Sequence, residues 1–286
     1  MEYVISTLTF TGIALIGVLG AYMVTGLTGL FSFGQAAFLA IGAYVSAVLF
    51  KNLALPLPLA ALVAVAVGLL AGLIVGLPTV RLRRDYISLV TFGFGEAIIA
   101  VLNNTTNITG GATGLSGVPQ RTSSFLVLVS ILVCLAFVVG YKNSKYGRQC
   151  LALRNDELAA RSMGINVERL KLVTFLIASV MTSYAGVLYV FYTTYVEPGA
   201  FGWAVSAEWM IIVFVGGVNS LTGAVVATVV LTGLPEFLRF ASEWRVAIYC
   251  VIVILILNFR PSGIFGEYEL SFRWLGQLFK KGARTS

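Results

Sequence analysis

One carboxylate lies where carboxylates are rarely found. Of the twelve acidic residues, only Glu96, in VTFGFGEAIIAVLNN, falls well inside a predicted apolar run. A charge in hydrocarbon is costly, so a residue of this type should have a purpose there. It either lines a polar path or makes a structural hydrogen bond to a neighbouring helix. Two glycine-rich polar stretches interrupt other apolar runs. GLTGLFSFGQAAFLAIGAY, residues 26–44, carries Gly26, Gly29, Gly34, Gly42, Thr28, Ser32 and Gln35. Gly29 and Gly34 permit bending and close backbone approach. Ser32 and Gln35 offer hydrogen bonds to a passing polar solute, or to backbone freed by the bend. GGVNSLTG, residues 216–223 with Asn219 at its centre, has the same Gly–polar–Gly layout and hints at an internal repeat of the kind transporters use.

Other chemistry is missing from the sequence. There is no GxxxxGK[ST] loop for ATP, and no nucleophile–base pair. The chain has no His, which removes imidazole metal sites and His relays. Cys134, Cys150 and Cys250 are scattered without metal or redox spacing. No catalytic residue, metal or cofactor is expected.

The elements that must position these residues are membrane spans. The 286 residues are 58% hydrophobic and 11% charged, with mean hydropathy +0.94. A soluble domain carries about a quarter charged residues. The alternation of a membrane β-barrel is absent, so the spans are helical. The expected fold is an all-α polytopic bundle of about 8–10 transmembrane helices, some of them broken or re-entrant. Nine apolar segments lie near 4–24, 29–50, 57–79, 86–103, 123–141, 171–193, 208–218, 220–238 and 244–259. The seventh is too short to cross unless it tilts or re-enters. In the third, Ala60, Ala64, Gly68, Gly72 and Gly76 form a smooth ridge for close packing. The N-terminal MEYVIS lacks a basic n-region and reads as a retained first helix.

Most of the 19 Lys and Arg fall in RLRRD, in the loop 142–171 and in the tail. An even number of spans separates each pair of these regions. All three therefore face the cytoplasm, which puts the N-terminus outside and the C-terminus inside. Within the loop, Arg148 to Met163 reads as one helix stopped by Gly164. It either docks a soluble partner or is a solvated basic loop. The tail 267–286 is an interfacial amphipathic helix or disordered, and 1–266 forms one transmembrane domain.

In order along the chain come GLTGLFSFGQAAFLAIGAY, RLRRDYISLVTFGFGEAIIAVLNN, TGGATGLSGVP and YGRQCLALRNDELAARSMGINVERLKLVTFLIAS. AGVLYVFYTTYVEPGAF, VGGVNSLTGAVVATVVLTGLPEFLR and FRPSGIFG follow. Over about residues 20–266 the chain resembles the permease subunits of branched-chain amino-acid ABC importers of the bacterial inner membrane. Members often have His where this chain has Gln35, so that position needs no titrating ring. The resemblance implies a second permease, two cytoplasmic ATP-binding subunits, an extracytoplasmic binding protein and no ATPase site on this chain. It implies that Arg154, Glu157, Ala160 and Gly164 belong to a loop coupled to an ATPase, and that Ser32, Gly34, Gln35, Glu96 and Asn219 border the translocation path. Urea or a short amide is the alternative cargo. An ion-coupled secondary transporter using Glu96 is the alternative mechanism.

Overall fold

The computed structural model describes residues 2–53, 55–237, 244–266 and 268–269. Helix α1 (Glu2–Tyr22) runs into a π-helical turn, Met23–Leu27. An extended stretch leads to α2 (Gln35–Leu53), followed by α3 (Leu57–Thr79) and α4 (Arg84–Asn104). A compact connection holds the one-turn α5 (Thr106–Thr109) and strand β1 (Leu115–Ser116). Then come α6 (Ser124–Asn143), the loop helices α7 (Lys145–Asn155) and α8 (Glu157–Ser162), and the long α9 (Val167–Thr193). Strand β2 (Tyr195–Val196) pairs antiparallel with β1. The chain ends in α10 (Trp203–Gly216), α11 (Leu221–Phe237) and α12 (Arg245–Phe259).

Seven helices among the described residues are long and apolar enough to cross a membrane, and Leu221–Pro235 and Ala247–Phe259 are shorter apolar helices. The protein is an all-α polytopic membrane protein. Three details differ from the sequence reading. The second segment begins at Gln35 rather than residue 29, because Gly29 to Gly34 are not helical. The seventh apolar stretch is not short: it extends over Pro198–Gly216, since the less apolar residues around Glu208 continue the helix. The loop helix is split in two at Asp156. That carboxylate accepts from the N–H groups of Leu158 (2.8 Å) and Ala159 (3.0 Å), so it starts a new helix instead of continuing the old one. Most of the tail, 270–286, lies outside the described residues, as do Arg239 and the side chain of Arg245, two cations expected near the outer face to contact the cargo transiently.

The core is built around α9, whose inner faces are lined by small residues. Its Gly186 meets the Leu39 carbonyl of α2, and Gly42 of α2 meets the Ser183 carbonyl of α9, backbone against backbone. On another side, Gly68 and Gly72 of α3 seat the hydroxyls of Ser183 and Ser179, and Gly76 receives Leu172. The small-residue ridge therefore packs against α9. Lipid offers no hydrophobic drive between helices, so close van der Waals contact of this kind holds them together. Some buried hydroxyls bond back to their own helices, as Ser46 does to the Gly42 carbonyl at 2.7 Å.

A side chain at the α2–α9 crossing has no room. Gly42→Val should cost about 1–3 kcal/mol or more. The variant should lose monodisperse protein in detergent and unfold at lower temperature. Gly140→Ala, where an added Cβ meets nothing within 4 Å, should behave as wild type in the same assay.

Candidate functional site

Residues 29–34 cross between α1 and α2 without regular structure, and the question is where their backbone groups go. Gly29 turns the chain at φ +68°, a conformation that disfavours a Cβ. The Gly29 N–H reaches the Thr25 carbonyl at 3.1 Å and the Leu30 N–H reaches Val24 at 3.2 Å. Thr91 of α4 accepts from the Phe33 N–H at 3.1 Å. Ser206 of α10 accepts from the Ala36 N–H at 2.8 Å. Gln35 Oε1 accepts from Thr182, near the middle of α9, at 3.1 Å. A Cβ on Gly34 would come within 2.7 Å of the Thr91 carbonyl, so the break lies tightly against α4.

The sequence reading gave Ser32 and Gln35 the task of either meeting a solute or satisfying the bent backbone. Thr91 and Ser206 do the second job, and nothing in their local sequence distinguishes them from other buried hydroxyls. Ser32 and Gln35 are 3% and 1% exposed. Ser32 Oγ and Gln35 Nε2 have no hydrogen-bond partner among the described residues. An unmade buried hydrogen bond costs about 1–3 kcal/mol, so among the described residues two unsatisfied polar groups lie within four positions of sequence at the break.

The other residues expected at the path are spread out. Glu96 is exposed on the outer face of α4, with no hydrogen bond or ion pair among the described residues. Gly93, Ala97 and Ala100 share that exposure. A structural bond from Glu96 to a neighbouring helix is therefore not made among the described residues. Glu96 is also not the sole carboxylate within a span. Glu208, half-buried on α10, is a second one, missed because the seventh segment was read as starting there. Asn219 sits in the turn between α10 and α11, and its carbonyl accepts from Lys142 at 2.8 Å. Phe31 of the first break lies 5.7 Å from Phe214 in the last turn of α10, just before the second.

The loop residues divide into inward and outward sets. Arg154 is half-buried and turned into the bundle, and Ala160 is buried. Gly164 is exposed and ends α8 with φ +77°. Glu157 accepts from Lys171 of α9 at 3.0 and 2.9 Å, and from Arg161 at 3.1 Å. Lys171 is 1% exposed, so this pair pins α8 to the base of α9. Partial burial pushes the Glu157 carboxyl up, but the bonds from Lys171 and Arg161 outweigh it and hold its pKa below the usual value. The outward face belongs to residues the sequence reading passed over. Leu158 is 77% and Met163 83% exposed. Two large apolar side chains in a charged loop were the available signal.

Removing the carboxylate leaves a buried ammonium. Glu157→Ala should therefore loosen α8 by about 3–5 kcal/mol. Faster proteolysis within residues 155–166 would report this, and the double variant Glu157→Leu/Lys171→Met should restore most of the protection. Because the folded pKa of Glu157 is depressed, this stabilisation is present above its unfolded pKa and is lost as pH falls through the folded value. Protease sensitivity of the wild-type loop should accordingly rise only below the usual carboxylate range.

Comparison with known proteins follows the same line. The family described as "Branched-chain amino acid transport system / permease component" matches residues 3–257. The chain is 34% identical to the high-affinity branched-chain amino acid transport permease LivM of Salmonella typhimurium and to that of Escherichia coli, over 90% of this chain and 68% of each relative. It is 28% identical to the permease LivH of Salmonella typhimurium over 65% of this chain and 61% of that one. No solved structure matches. A broken-helix polytopic bundle with this match along nearly its whole length belongs to the branched-chain amino-acid ABC transporter permease family.

Proposed function

We propose that this chain is the membrane permease subunit of an ATP-binding cassette importer. With a second permease it forms the path for branched-chain amino acids delivered by an extracytoplasmic binding protein. Two separate subunits supply ATP hydrolysis, and the chain has no ATPase site of its own. The substrate class rests on the relatives, which are named as branched-chain amino-acid permeases. Residues 1–266 act as one permease domain. Its N-terminus lies outside, and the face carrying α7 and α8 lies in the cytoplasm.

The observation that carries this reading is α8. It presents Leu158 and Met163 outward while the Glu157–Lys171 pair fixes its base to the core helix. A short apolar knob on a rigid mount suits a groove on a soluble partner. Arg161 and Gly164 flank that knob. The α4 face bearing Gly93, Glu96, Ala97 and Ala100 suits the second permease. Small residues admit a close neighbour, and a carboxylate there meets either the partner or the aqueous path between them. Ser32, Gly34 and Gln35 border the path at the break, where the two unsatisfied groups are available to a polar solute once the break opens.

The test is hydrolysis and uptake by the complex in proteoliposomes. ATPase activity should rise with leucine-loaded binding protein. Met163→Asp should weaken copurification of the ATP-binding subunits by about tenfold or more, as loss of an apolar anchor does. Uptake that follows a proton gradient at constant ATP, and disappears in Glu96→Gln, would replace this reading with an ion-coupled one.

A further inference from the structure

Two cations reach into the bundle at the end where α7 lies, and both bind backbone. Arg154, in the last turn of α7, donates from one guanidinium nitrogen to the Gly26 carbonyl at 2.6 Å and towards the Val218 carbonyl at 3.4 Å. Gly26 lies in the π-turn that ends α1, and Val218 in the turn between α10 and α11. The stem of Arg154 fills the space beside Gly29, where an added Cβ would come within 2.6 Å of its Cγ. Lys142, at the end of α6, donates to the Asn219 carbonyl at 2.8 Å and to the Tyr22 hydroxyl at 2.9 Å. It also pairs with Glu269, whose carboxylate accepts from the Leu221 N–H at the start of α11 at 3.2 Å.

Consecutive carbonyls of one turn are thus held by cations from two different elements. Each cation also holds the end of α1. Carbonyls freed at helix ends are partially negative, which makes a cation their natural partner. An ordinary cap, however, serves one helix. Arg154 joins two helix breaks far apart in sequence, and it does so from the loop that also carries α8. Its own anchorage is firm: the carbonyls of Leu153 and Arg154 accept from Arg84 at 3.3 and 3.2 Å. Asp156, two residues on, caps α8.

We propose that Arg154 is the positioning residue that links α8 to both helix breaks, so that a displacement of α8 moves residues 26–34 and 217–220 together. The inference rests on the importer reading above. One terminal nitrogen serves both carbonyls, and it sits one bond further from the backbone than a lysine nitrogen would. Arginine is therefore required, and lysine is not an adequate replacement.

The experiment uses the whole reconstituted complex with leucine-loaded binding protein. Uptake and ATP hydrolysis are measured together for wild type, Arg154→Lys and Arg154→Gln. Uptake per ATP hydrolysed should fall at least threefold in Arg154→Lys and further in Arg154→Gln. A ratio equal to wild type in Arg154→Lys would overturn the proposal, whether or not both rates had dropped, because a purely structural role lowers them in step. Amide exchange of the wild-type complex provides a second arm that needs no variant. With and without ATP, exchange at 26–34 and at 217–220 should change together, and a change confined to one break would also overturn it. A wild-type complex whose uptake ignores ATP would instead defeat the importer reading, and exchange at the breaks would then have no bearing on coupling.

Discussion

A backbone amide inside a bilayer must find its partner within the protein, and the path from α1 to α2 is shaped by that requirement. Six residues there, 29–34, leave the helix. The Gly29 and Leu30 amides are met by the π-turn and the Phe33 amide by a hydroxyl of α4, while on either side the Ala36 amide is met by a hydroxyl of α10 and the Gly26 carbonyl by a guanidinium from the loop. No single neighbour could do this. The break therefore obliges α4, α10 and α7 to stand where they do, and the central helices follow. What the arrangement leaves unsatisfied is as informative as what it satisfies. Ser32 and Gln35 remain buried with open hydrogen-bonding capacity beside a segment with no helical bonds of its own to lose.

The two ends of the bundle are held by different means. At one end, a two-strand pairing between loops, the Thr9–Ser124 contact of α1 with α6 at 2.8 Å and the Lys51 bond to the Ser116 carbonyl hold the elements through neutral or single contacts. At the other, Arg84, Lys142, Arg154 and Lys171 each reach backbone or carboxylate across elements. The basic residues that a charge-orientation rule counts as an address are here also the fasteners of helix ends. The two roles are compatible, since both need a cation at the same depth.

Much of this was legible in the sequence. Long apolar runs with few charges allow only helices, and the ridge from Ala60 to Gly76 announced a close neighbour. The glycine-rich polar stretches marked both breaks. What could not be read was partnership. A break advertises its own glycines but not Thr91 or Ser206, which look like any hydroxyl within a span. Arg154 was legible as a loop cation but not as one turned inward, since that depends on where α1 ends in space. Glu96 was read as buried because its run is apolar, yet an apolar run does not say which side faces other helices of the same chain. Asp156 could have been read as a cap, but the Ala- and Leu-rich surroundings favoured one continuous helix.

The crossing of Gly42 and Gly186 has a mechanical consequence. Where two helices touch through side chains, rotamer changes absorb small shifts. Where they touch through backbone there is nothing to deform, and the pair transmits force without slack. Helices α2 and α9 then move as one rigid piece, with α3 bound to it through its own glycines. The extended stretch before Gln35 becomes the compliant joint, and any rocking of the bundle divides there. Changes in cargo preference have little scope within the rigid piece, where an added methyl group disrupts the contact. They have more scope on the faces that turn against it.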